Sequence, residues 1–115
     1  MELYEIKNGL DQAHFLMKEY KASASIDEKK REIEGLTFQT LQENFWDDAN
    51  HAKKIYDELN DMKKITDEYD ALNEMLASLD ETLTLVKETE DEEFFMILDS
   101  DYQEFETRLS EFEKV

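Results

Sequence analysis

Proline is absent from this chain, and glycine occurs only at Gly9 and Gly35 in 115 residues. A β-rich fold needs turn formers at short intervals, so the shortage excludes sandwiches and barrels and leaves helices to satisfy the backbone. The apolar residues agree. Leu3, Ile6, Leu10, Ala13, Met17 and Tyr20 follow in steps of three and four, which places them on one stripe of a helix over 2–20. After the interruption "KASAS", Ser25 and Glu28 have the spacing of a capping box, and a second helix over 26–43 carries Ile33, Leu36, Thr40 and Leu41. The third stripe is the longest. Ile55, Leu59, Met62, Thr66, Tyr69, Leu72, Leu76, Leu79, Leu83 and Val86 predict a helix over 48–87, on the order of 60 Å long. In "TEDEE", Thr89 and Glu92 match a capping box again, and Phe94, Phe95, Leu98, Tyr102, Phe105, Leu109 and Phe112 line a fourth helix over 90–113. The short connection makes helices three and four antiparallel neighbours. The chain therefore reads as all-α: an antiparallel bundle of four helices built on that long hairpin, in a single domain.

The formal charge of −18 is unevenly spread. Residues 1–64 carry 10 Lys/Arg against 14 Asp/Glu, and residues 65–115 carry 3 against 17. Phosphate backbones are bound through Lys and Arg, so no direct nucleic-acid binding is expected from residues 65–115. Any such contact falls to Lys29–Arg31, Lys53–Lys54 or Lys63–Lys64, which also suit ordinary solvated helix faces. The absence of cysteine excludes disulfides and thiolate metal sites. No apolar run approaches the ~20 residues of a membrane helix, and "MELYEIKNGL" lacks the basic start and apolar stretch of a secretory signal. A cytoplasmic chain with no membrane partner is expected.

Catalytic chemistry finds no foothold in the sequence. It has no Gly-rich phosphate loop, no Gly-x-Ser-x-Gly turn and no Cys/His cluster. His14 and His51 are solitary and read as surface residues. Acid pairs such as Asp57–Asp61 and Asp70–Glu74 arise by chance among 31 acids, and "EEFFMILDSD" lacks the His that a di-metal carboxylate site needs. "TEDEE" has neither the alternating acids nor the Gly of a calcium loop. No cofactor, metal or catalytic residue is assigned.

One short stretch stands apart. In "ENFWDDANHAKK", Phe45 and Trp46 run into Asp47 and Asp48 at the start of the third helix. Either Asp can cap that helix, with the other complementing its dipole. Trp46 would then staple onto the first turn while Phe45 plugs the gap to helix two. This reading makes the four residues a structural junction with a largely buried indole, whose replacement by Ala costs about 3 kcal/mol or more.

The order of segments resembles a known family. "MELYEIK", "SIDEKKREIEGL", "NFWDDANHAKKIYDELNDMKKITDEYDAL" and "EFETRLSEFEKV" are together similar to the N-terminal helical domain of bacterial class I peptide chain release factors of the release factor 2 type. The match runs across essentially the whole chain and includes Ser25-Ile26-Asp27 before helix two and Phe45 to Asp48 before helix three. The chain departs from the family at Ala24, where Gly is common, and at Glu43, where Pro is common. The resemblance implies a non-catalytic domain in translation termination at UGA and UAA. Its partners would be proteins of the ribosomal stalk base and GTPase-centre region, with release factor 3 as a further one. The family reads codons with Ser-Pro-Phe and triggers peptidyl-tRNA hydrolysis with Gly-Gly-Gln. Neither tripeptide occurs here, so those two domains are taken as absent from this chain. Residues alone leave two other readings open: a free-standing acidic helical adaptor or coiled-coil oligomer, and an acidic mimic of DNA. In isolation a monomer or weak dimer is expected.

Overall fold

The computed structural model describes residues 1–114 and contains four α-helices and one 3₁₀ turn. The helices are α1 (Leu3–Ser23), α2 (Ile26–Thr40), α3 (Ala49–Thr89) and α4 (Glu92–Phe112), with the 3₁₀ turn at Phe45–Asp47. The all-α class and the four helices are borne out, with α2 ending three residues early and α3 running unbroken through Ser78. No helix among the described residues is long and apolar enough to cross a membrane.

The chain divides into two compact units. The first comprises Met1–Glu19 and Asp70–Val115. Its core takes Ile6, Leu10, Ala13 and Met17 from α1, Leu72, Leu76, Leu79 and Val86 from α3, and Leu98, Tyr102, Phe105, Leu109 and Phe112 from α4. All of these are stripe positions, and their burial is what holds three amphipathic helices together. Polar contacts fix neighbours: His14 Nε2 lies 2.7 Å from Asp80 Oδ2 between α1 and α3, and Arg108 Nη1 lies 3.2 Å from Met75 Sδ between α4 and α3. Tyr102 donates its hydroxyl to Glu106 Oε1 at 2.5 Å. Burial, reinforced by that carboxylate, holds the phenol well above its usual range. The same hydroxyl reaches the α1 backbone at Gly9, where an added Cβ would stand 1.7 Å from it.

The second unit is Tyr20–Tyr69. Here Ile26 of α2 is fully buried, with Ile33, Leu36 and Thr40 half-buried; Ala52, Ile55, Leu59, Thr66 and Tyr69 of α3 are buried. Leu41 departs from its expected stripe and is exposed, because α2 has already ended.

Two expected caps do not form. Ser25 adopts a left-handed conformation, φ 53° and ψ 48°, and makes no side-chain cap bond. An N-cap side chain reaches the first-turn amides from extended backbone. With only Ala24 and Ser25 between the helices, Ser25 must instead terminate α1, its N–H donating to the Ala22 carbonyl. Lys29 completes this turn by donating from Nζ to the Ala24 carbonyl. At the other connection Thr89 is the last residue of α3, bonded to the Leu85 carbonyl at 2.7 Å, and Asp91 is the N-cap of α4, accepting from the Glu93 N–H at 2.7 Å. An acid in place of the expected hydroxyl does the same work. A reach-back of the capping-box kind occurs at the start of α1, where Glu2 N–H donates to Glu5 Oε1 at 2.9 Å.

Ser25, Asn44 and Glu90 all have positive φ without being glycine. Glu90 (φ 54°) lacks the short polar side chain that eases this conformation at Ser25 and Asn44, so Glu90→Gly should raise unfolding stability by about 1 kcal/mol. Gly9→Ala should lower it by about 1–3 kcal/mol, as overpacking against Tyr102 requires a backbone or ring shift. Urea denaturation followed by circular dichroism measures both.

Candidate functional site

The junction between α2 and α3 is built by a change of helical pitch. After Thr40 the chain turns through Leu41–Glu43, and Asn44 takes a left-handed conformation with φ 70°. Phe45–Asp47 then form a single 3₁₀ turn, closed by the Asp47 N–H to the Asn44 carbonyl at 3.1 Å. In a 3₁₀ turn successive side chains diverge by about 120°, so two adjacent rings cannot share one buried direction. Phe45 takes the inner position and is half-buried. Trp46 points outward and is 58% exposed. The expectation of a largely buried indole is therefore wrong: the inner position goes to Phe45, and its neighbour Trp46 is turned away from it.

Asp48 has extended backbone, φ −99° and ψ 94°, and its Oδ1 accepts from the His51 N–H at 3.1 Å. Its carbonyl accepts from the Ala52 N–H at 2.9 Å, so Asp48 caps α3. Asp47 is exposed beside it. The rings form a small surface cluster. Phe45 meets Trp46 edge-on with centroids 5.0 Å apart, and meets His51 at 6.0 Å. Trp46 lies against Tyr56 at 5.5 Å, with the planes inclined at 48°. Tyr56 stands off the α3 stripe, on a face that spacing assigns to solvent. An aromatic outside an otherwise regular apolar stripe was the available signal, and exposed Phe38 and Phe15 share it.

The other singled-out residues do not converge on a site. His14 is paired with Asp80 in the first unit, and His51 serves the junction through its backbone and ring. Among the described residues no group of three or more His, Cys, Asp or Glu is arranged to hold a metal ion. Lys53 is bound to Asp57 at 2.8 Å, and that hydrogen bond and charge raise its pKa.

Comparison with known proteins decides the relationship. Residues 29–115 match the PCRF domain family. The chain belongs to the PCRF domain family. Peptide chain release factor 2 of Listeria innocua serovar 6a is 34% identical to it over 113 residues, covering 98% of this chain and 31% of that protein. Peptide chain release factor 2 of Staphylococcus aureus strain COL is 29% identical over the same shares of the two chains. The chain thus spans 31% of the length of these curated relatives. No solved structure matches it. The PCRF match begins at Lys29, inside α2, and takes in the junction, all of α3 and α4.

The junction geometry separates its two jobs. Asp48→Ala should lower stability by about 1 kcal/mol through loss of the α3 cap. Trp46→Ala should cost about 1 kcal/mol or less, since the indole is mostly in water. Urea unfolding of the two variants gives the comparison, and ready quenching of Trp46 fluorescence by acrylamide checks the exposure.

Proposed function

We propose that this chain acts as the single N-terminal helical domain of a peptide chain release factor directing translation termination at UGA and UAA, and that the domain is itself non-catalytic. The observation that carries the reading is similarity to release factor 2 along 98% of the chain, combined with coverage of only 31% of those relatives. Stop-codon reading and peptidyl-tRNA hydrolysis belong, on this reading, to Ser-Pro-Phe and Gly-Gly-Gln segments outside the given sequence.

The partner proposed is the ribosome in the cytoplasm, through proteins of the stalk base and GTPase-centre region, with release factor 3 as a further contact. Charge supports proteins over RNA as the immediate neighbour. The unit of Met1–Glu19 and Asp70–Val115 holds 5 Lys/Arg against 19 Asp/Glu. Such a surface repels phosphate and attracts basic proteins at long range.

Ribosomes carrying initiator peptidyl-tRNA at UGA or UAA provide the test. The protein encoded by the full reading frame should release the peptide at both codons and not at UAG, while residues 1–115 alone release none. Release by residues 1–115 alone, or a stop codon directly after Val115 in the gene, would overturn the proposal.

A further inference from the structure

We infer that the Phe45–Trp46–Tyr56 cluster is a docking point for an arginine-bearing segment of a basic protein. This goes beyond the ribosomal reading and does not depend on it. Trp46 is exposed yet held, with Phe45 edge-on at 5.0 Å and Tyr56 tilted against it at 5.5 Å. Its orientation is set before any partner arrives, so little side-chain freedom is lost on binding. Exposed Tyr56 widens the apolar surface beyond what one stray aromatic would offer.

Charge identifies the occupant. Glu43, Asp47 and Asp48 flank the aromatic pair in the chain and are all exposed. On the α3 side Lys53 is paired with Asp57 at 2.8 Å. An indole face is the strongest of the aromatic faces for a cation, and carboxylates beside it add charge-assisted hydrogen bonds. A guanidinium stacks on such a face and gives up hydration more readily than an ammonium, which favours Arg over Lys. A phosphate is opposed by the three acids, and a second copy of the chain by a net charge of −18. Lys63, about two turns beyond Tyr56 on the same side of α3, is the feature that would serve RNA instead.

Trp46 is the single tryptophan, so its fluorescence reports on the site directly. Residues 1–115 would be titrated at ~150 mM salt, where long-range attraction is screened. The ligands are dye-labelled octa-arginine, octa-lysine and an octamer of single-stranded uridylate, read by ligand anisotropy and tryptophan emission. The inference expects saturable octa-arginine binding that changes the emission, at least fivefold tighter than octa-lysine. Trp46→Ala should weaken it tenfold or more, Trp46→Phe by an intermediate factor and Asp47→Asn severalfold, whereas Glu88→Gln, an exposed acid outside the Tyr20–Tyr69 unit, changes it less than twofold. Circular dichroism of each variant confirms folding. Equal binding of both peptides, unaffected by Trp46→Ala, would show attraction by charge alone and overturn the inference. So would tighter binding of the uridylate octamer, or emission that changes on simple dilution of the protein, which would assign the surface to RNA or to a second copy.

Discussion

Everything in this fold leans on one apolar stripe along α3. The helix runs for 41 residues with neither glycine nor proline. A solvated helix of that length gains little from propensity alone and is held mainly by burying one face. Ala52, Ile55, Leu59, Thr66 and Tyr69 give that face to the unit of residues 20–69, and Leu72, Leu76, Leu79 and Val86 give it to the other. The steps of three and four do not reset between Tyr69 and Leu72. Within each unit the opposing stripes of α1, α2 and α4 have only to match that spacing locally. Even the one buried polar member, Thr66, is satisfied within the helix, its hydroxyl donating to the Lys63 carbonyl at 3.3 Å.

The helix connections show the cost of a sequence so short of turn formers. Each reversal uses a left-handed residue where glycine is the usual choice, and here Ser25, Asn44 and Glu90 occupy those places. Acids then open the helices that follow: Asp48 caps α3 and Asp91 caps α4. The excess of carboxylate is thus partly structural, since anions at a helix start satisfy free amides and oppose the dipole. Gly9 is used differently, on a helix, to let the Tyr102 hydroxyl approach the α1 backbone.

The stripes were legible in the sequence because helical period is a property of spacing alone, and nearly every stripe residue from Ile6 to Phe112 is buried or half-buried. The caps were less legible. Ser25–Glu28 has the right spacing, but whether Ser25 is extended or left-handed depends on how tightly the chain reverses, which spacing does not encode. Trp46 failed for a related reason: side-chain size argues for burial, while a three-residue turn decides direction. The family was readable from the order of segments across the chain. The aromatic cluster was not, because its third ring, Tyr56, comes from a helix face that periodicity assigns to solvent.

That misplacement bears on what the junction is for. Capping of α3 is carried by Asp48, and the inner apolar position is filled by Phe45. Trp46 adds little burial to either task, and a large aromatic left 58% in water forfeits much of the free energy its size offers the fold. Its two neighbouring rings fix where it points without hiding it. The two units also differ in chemistry: residues 20–69 carry 8 Lys/Arg against 12 Asp/Glu, far closer to balance than the strongly acidic remainder. A diffuse field attracts a basic partner but does not orient it, whereas a held aromatic with a few adjacent carboxylates discriminates by shape at contact. The acidic unit is suited to the first role and the Trp46 surface to the second.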